Sequence, residues 1–343
     1  MRGIYFDGAR AVYRDDLPKP QADEGHSLIR ILRAGVCSTD REILKGYRPD
    51  FRGVMGHEFT GVVEESSVKE LIGKTVVGEL NEGCGHCVLC RTGREKHCLS
   101  RKVIGMSKDG CFAEYMTLAN HLIHVVPEGL APERAVLTEP LAAALEIPER
   151  VHIAPGTPAA VIGDGRLAYM IAQVLHLSGT QVTVIGKHAE KLEKFRPFAE
   201  LRVSGTAESA NLAGAVESGD LSGAGSKNMG IEPLRIAAAE DMFEVVVEAS
   251  GSPTGMELAL ELVRRQGTIV LKSTYAGKHP FDLSLVAVNE LKIEGSRCGP
   301  FEPALRLLKE NRITLPEPEW HDLEDYEAAF TSRAFKAGFR ISD

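Results

Sequence analysis

At 343 residues the chain is long enough for two domains with cores of their own, and 43% hydrophobic with 26% charged residues is ordinary soluble globular composition. A net charge of -8 without a basic stripe argues against a nucleic-acid or anionic-membrane partner, and no apolar run approaches the length of a membrane span. The N-terminal MRGIYFDGAR has no signal-peptide apolar core, and the seven cysteines form an odd set, so the expectation is a cytoplasmic protein whose thiols serve metal and not disulfides.

Residues 1–35 read as short strands, IYFDGARAVYR and SLIRILRAGVC, punctuated by Pro18, Pro20 and Gly25. Next come Cys37-Ser38-Thr39-Asp40-Arg41-Glu42, then Gly56-His57-Glu58 twenty residues after the cysteine, and later Thr138-Glu139-Pro140-Leu141. Singly these are weak signals, because a lone cysteine is most often a small core residue. Together they offer one sulfur, one imidazole and carboxylates, the ligand types of a catalytic zinc that keeps one position open.

Between residues 83 and 98 runs GCGHCVLCRTGREKHC, with Cys84, Cys87, Cys90 and Cys98 at spacing C-x2-C-x2-C-x7-C. Two-residue gaps let sulfurs converge on one ion, and Gly83, Gly85 and Gly93 let the loop turn around it. A four-thiolate shell is closed, so a zinc held there is structural and does no chemistry. VIGMSKDGCFAEYMTLANHLIHVV then reads as strands around a turn at Lys108-Asp109-Gly110, with Cys111 as packing and His121 and His124 as structural residues.

These motifs resemble the medium-chain, zinc-dependent alcohol and polyol dehydrogenases, sorbitol and glucose dehydrogenase-like members among them. The resemblance covers nearly the whole chain outside 204–241. It implies Cys37 and His57 as catalytic-zinc ligands, with Glu58 or Glu139 as the third, since the EPL motif at Glu139 is shared with polyol and sugar members. Thr39 would hydrogen-bond the substrate hydroxyl and start the proton's exit. Asp40 would accept the other N–H of His57 and fix its tautomer. Glu42 stands where many relatives have a relay histidine, and reads as a relay or a binder of a substrate hydroxyl, or equally as a solvated charge. Ser38 replaces a glycine common at its position.

Further on, TPAAVIGDGRLAYMIAQVLHLSGTQVTVIGKH (157–188) reads as strand, G-x-G-x-x-A loop, apolar-faced helix and strand. Gly163 makes the turn, Gly165 lets a pyrophosphate approach the backbone, and Arg166 and Leu167 open the helix that Ala168 packs on the strand. The end of the second strand carries Gly186, Lys187 and His188 where NAD-specific enzymes place an acid. With no acid to repel a 2′-phosphate and a lysine to bind one, NADP(H) is favoured over NAD(H). Residues 204–241, rich in Gly, Ala and Ser, read as an inserted, partly disordered surface loop. FEVVVE and TIVLKST follow as buried parallel strands, with Ser250, Gly251, Ser273 and Thr274 at their C-terminal ends, where open α/β sheets bind ligands.

LVAVNELKIEGS supplies a helix and an edge strand, and the resemblance implies that this edge pairs across a two-fold in a homodimer or homotetramer. FEPALRLLKENRI is a helix, and the tail ends as a short helix and strand folded back on the first domain. By resemblance Lys336 contacts a cofactor phosphate. The expected fold is α/β: a doubly wound parallel Rossmann sheet over 144–295, and a GroES-like β-rich catalytic domain over 1–143 that regains residues 296–343. The implied activity is hydride transfer between a small secondary alcohol, polyol or sugar and a nicotinamide, with two zinc ions per chain. The alternatives are a non-catalytic NADP(H)-binding redox sensor or scaffold, and a zinc-dependent reductase of an activated double bond or biosynthetic intermediate.

Overall fold

Aliphatic residues dominate His26–Gly35, and the run becomes the longest strand among the described residues, with Leu28, Ile29, Ile31 and Ala34 buried. The structure is a computed structural model that describes residues 1–204, 231–234, 242–274 and 280–343. They divide into two compact units, Met1–Ala142 with Pro300–Asp343, and Ala143–Gly299. Among the described residues no helix is long and apolar enough to cross a membrane.

In the first unit, β1 (Gly3–Phe6) lies between β2 (Ala11–Arg14) and β4 (Gly53–Val54). A larger, mostly antiparallel sheet centres on β3 (His26–Gly35) and β5 (Glu58–Ser66). Beyond β5 come β6 (Thr75–Gly78) and, after it, β10 (Ile123–Val125). Beyond β3 come β19 (Ala337–Arg340) and β18 (Glu319–His321), while β9 (Tyr115–Ala119) pairs with the start of β3. The two-residue strands β7 (Asn81–Glu82) and β8 (Lys102–Val103) pair across the cysteine loop. Between Val103 and Glu114 the expected ladder is replaced by irregular chain, fastened where Asp109 Oδ1 accepts the Val54 N–H at 2.8 Å.

Register brings distant residues to one sheet end. Gly35 stands opposite Glu58 on one side and opposite Gly338 on the other. Cys37, His57, Glu58 and Lys336 therefore leave or enter neighbouring strands at the same place. Just beyond β3 the chain turns into the helix Ser38–Leu44, which starts at Cys37 in an extended conformation.

The second unit is a seven-stranded parallel sheet. Its strands are β11 (Pro158–Ile162), β12 (Gln181–Gly186), β13 (Glu200–Val203), β14 (Glu232–Pro233), β15 (Phe243–Glu248), β16 (Val263–Leu271) and β17 (Lys292–Gly295). Their spatial order, β14-β13-β12-β11-β15-β16-β17, makes the order reverse beside β11, the switch point where such sheets bind ligands. Val161, Val184, Ile185, Val246 and Val247 are fully buried, as expected of strands covered on both faces. The loop foreseen at 204–241 lies outside the described residues, save Ser204 and 231–234, where Glu232 and Pro233 pair with Arg202 and Val203.

Candidate metal centres and cofactor loop

The four thiols of the cysteine loop converge. Cys87 Sγ lies 3.5 Å from that of Cys90 and 3.8 Å from that of Cys98, and Cys84 Sγ is 3.9 Å from Cys90 Sγ. Four sulfurs each about 2.3 Å from one zinc in a tetrahedron stand ~3.8 Å apart, so the set fits that ion. Gly83 is required by contact: a Cβ there would meet Cys90 Sγ at 2.8 Å. The N–H groups of His86 and Cys87 hold the Cys84 thiol down to about 6, while desolvation, joined by hydrogen bonds with Cys87, Cys98 and Cys84, pushes Cys90 up to about 12.

At the shared end of β3 and β5, ligand atoms of Cys37, His57 and Glu58 all lie within 4.8 Å of one another. Asp40, wholly buried, accepts the Cys37 N–H at Oδ2 (2.7 Å), which closes the first turn of the helix Ser38–Leu44. Its Oδ1 stands 3.4 Å from His57 Nδ1. Neither of those facing atoms has a well-aligned hydrogen bond, and with Nδ1 turned toward Asp40 the ring offers Nε2 to a metal. Burial pushes His57 down, but the Asp40 carboxylate and Cys37 outweigh it and hold the imidazole well above its usual value. Cys37 Sγ is 3.7 Å from Thr39 Oγ1. An orphaned, oriented imidazole, a thiol and a carboxylate fit a zinc that keeps one position for substrate.

In the second unit the G-x-G-x-x-A loop follows β11. Gly163 has φ +132°, and a Cβ there would meet the Ala249 carbonyl oxygen at 2.7 Å, so β15 and the loop approach only through a glycine. Gly165 caps the twelve-residue helix Arg166–Leu177 with open space before it, the cradle a pyrophosphate needs. Beyond the ends of β15 and β16, beside the switch point, Gly251 N donates to Ser273 Oγ at 2.8 Å, and Ser250 Oγ donates to the buried Glu248 at 2.6 Å.

Two family models match this arrangement: the alcohol dehydrogenase GroES-like domain over residues 23–128 and the zinc-binding dehydrogenase over 167–310. The chain belongs to the zinc-dependent medium-chain alcohol and polyol dehydrogenases. As such it is a zinc-type, nicotinamide-dependent oxidoreductase built from a GroES-like and a Rossmann domain. It is 29% identical to L-threonine 3-dehydrogenase of Bacillus subtilis (strain 168), over 94% of this chain and 92% of that one. It is 26% identical to sorbitol dehydrogenase of Halalkalibacterium halodurans, again over 94% and 92%. Galactitol-1-phosphate dehydrogenase from Escherichia coli has the same fold, with a TM-score of 0.82 at 20% identity over 99% of this chain and 100% of that chain.

Within this dehydrogenase the expected residues separate. Of the two candidate third ligands, Glu58 joins the cluster; Glu139 sits half-buried in the first turn of the helix Thr138–Arg150, outside the group. Glu42 is given to Lys45, with Oε1 2.8 Å from its ammonium, on the outer side of its short helix. Lys336 is 3% exposed and its ammonium donates to Glu58 Oε2. The reason is register: β19 pairs with β3 and brings Lys336 beside the Cys37, His57 and Glu58 cluster. Cys111, whose thiol burial raises well above its usual pKa, donates to the Glu58 carbonyl at 3.5 Å and is no ligand. His121 and His124 pair separately with Glu95 and Glu79. Lys187 and His188 stand exposed at the end of β12. What the sequence reading missed is Asp164, whose carboxylate meets both; the signal was an acid lodged between the two glycines.

Proposed function

We propose that the protein oxidises a secondary hydroxyl of a polyol or sugar with NADP+, or runs the reverse reduction, using two zinc ions per chain. The convergence of Cys37, His57 and Glu58 beside Thr39 and Asp40 carries this reading. Cys84, Cys87, Cys90 and Cys98 would hold the structural ion, and the trio the catalytic one. Zinc bound there supplies Lewis acidity toward a hydroxyl, and the nicotinamide supplies a hydride acceptor. The chain's own groups supply placement and proton handling. Asp40 Oδ1 holds the His57 ring through Nδ1 and fixes its tautomer. Thr39 Oγ1, beside the cysteine ligand, takes the proton from the substrate hydroxyl and passes it outward. The carboxylate in the ligand set, together with the sorbitol dehydrogenase relative, supports polyols over simple alcohols.

Lys187 at the end of β12 supports NADP(H), with Gly163, Gly165, Arg166 and Leu167 at the pyrophosphate and Ser250 and Ser273 lining the switch point. Among the described residues strand β17 ends the parallel sheet with one side unpaired, and Leu283 and Val288 of the adjacent helix Leu283–Val288 are 67% and 78% exposed. That edge and its apolar neighbours support a homodimer or homotetramer, which light scattering reads directly. The cytoplasm belongs to the same proposal, because clustered thiols oxidise elsewhere.

A panel of sugars, polyols and alcohols with NADP+ and with NAD+, followed by formation of reduced nicotinamide, tests the reading. Cys37→Ser is expected to abolish turnover while keeping the fold and the loop zinc. Wild-type rates in that variant sink the mechanism.

A further inference from the structure

Asp164 lies inside the glycine loop, but its side chain reaches the end of the neighbouring strand. Oδ2 accepts three hydrogen bonds, from the Lys187 N–H (2.9 Å), the His188 N–H (2.9 Å) and, with His188 in the matching tautomer, the ring Nδ1–H (2.8 Å). Oδ1 faces the Lys191 ammonium at 3.9 Å. The side chain is 13% exposed. It packs so closely on Gly186 that a Cβ there would meet Asp164 Cβ at 2.8 Å and Oδ2 at 2.9 Å. Burial pushes this carboxyl up, but the His188 ring and the two N–H groups outweigh it and hold it below its usual value, so it is a carboxylate at neutral pH.

A carboxylate near the end of the second strand is the group that ordinarily receives a ribose 2′-hydroxyl and repels a 2′-phosphate. Here that place does contain an acid, supplied by the loop and not by the strand. Its hydrogen bonds go inward, to the turn that carries Lys187. The Lys187 ammonium is exposed and has no ion-pair partner among the described residues.

We propose that Asp164 is a positioning residue for cofactor selectivity: by holding the Lys187 and His188 N–H groups it shapes the end of β12 so that Lys187 meets a ribose 2′-phosphate, and its own charge is withdrawn from the ligand. The inference rests on the NADP(H) reading. It differs from that reading in sign at one residue. An acid facing the ligand weakens 2′-phosphate binding, so its removal helps; an acid buttressing the turn strengthens binding, so its removal hurts.

Calorimetric titration of the full-length protein with 2′,5′-ADP and with 5′-AMP separates the cases. The wild type is expected to bind 2′,5′-ADP the more tightly, and Lys187→Met to erase that preference. Asp164→Ala is expected to weaken 2′,5′-ADP about tenfold, as for loss of one charge-assisted contact, and to leave 5′-AMP within about twofold. Asp164→Asn keeps an acceptor for the two N–H groups and is expected to retain most of the preference, which also serves if the alanine variant does not fold. Adding Asp164→Ala to Lys187→Met is expected to cost 2′,5′-ADP nothing further. A wild type that does not prefer 2′,5′-ADP overturns the NADP(H) reading itself. A wild type that does, with 2′,5′-ADP binding unchanged or tightened in Asp164→Ala, or tightened in Asp164→Asn, overturns the positioning role alone.

Discussion

Two carboxylates at the shared end of β3 and β5, Asp40 and Glu58, are buried for different reasons. Asp40 is affordable in the core because one oxygen closes a helix turn and the other faces an imidazole. Asp40→Ala is expected to weaken zinc at the Cys37 site by about 10- to 100-fold, the usual cost of removing a ligand's outer partner. A chelator titration read by metal analysis should then show one zinc leaving early and the other retained; release of both ions as in the wild type would refute this. Glu58 is 1% exposed and accepts from the Lys336 ammonium, its nearest cation among the described residues. Lys336→Met strands that charge, and the expected loss of stability is about 3–5 kcal/mol in denaturant unfolding of the apo protein. Loading zinc should narrow the gap between variant and wild type, because the metal replaces the missing cation. An equal gap with and without zinc would show that Lys336 acts only through packing.

At the scale of elements, a buried lysine does for the second unit what Lys336 does for the first. Lys272, at the end of β16, donates to the Ala143 carbonyl (2.7 Å), the Arg297 carbonyl (2.9 Å) and Ser296 Oγ (3.1 Å). All three ammonium hydrogens are used, which is why a 9% exposed lysine is tolerated. It fastens the helix Thr138–Arg150 to the strand ends. Lys272→Met, close in volume, is expected to destabilise by ~1–3 kcal/mol through carbonyls left short of a donor. An unchanged unfolding midpoint would show that the contacts carry no net energy.

The helix Thr138–Arg150 was also the element hardest to read. Pro140 and Pro148 interrupt its sequence, so it registers as a motif and not as a helix. The helix Ser38–Leu44 is too short to show a period. The Rossmann strands were legible because each is a bounded apolar run, and the cysteine loop because its ligands are local. The Lys336–Glu58 pair and Asp164 were passed over because the partners, Glu58 and the 187–188 turn, lie far along the chain. Spacing finds ligands that share a loop; it does not find cations delivered by a strand register.

For the molecule as a whole, the first unit is interrupted by the entire second one and finished by residues from Pro300 onward. Strand β19 then fills the place between β3 and β18. A chain ending at Arg333 is expected to lose zinc from the Cys37 site and to become protease-sensitive in its first 142 residues. Wild-type zinc content and protease resistance in that truncation would refute this.

The same arrangement sets a timetable for the newborn chain. Lys336 follows Glu58 by 278 residues, which at ~5–20 residues per second is a wait of roughly 15–55 seconds on the ribosome. Throughout it, the C-terminal end of β3, Arg33 to Gly35, lacks the neighbour that β19 will supply, and the Glu58 carboxylate has no cation to share its burial. The Rossmann unit, begun later, has every strand in hand sooner. The unit that carries the Cys37, His57 and Glu58 cluster is therefore the one that spends longest within reach of chaperones and proteases, and metal supplied during that interval would meet that cluster before the chain is released.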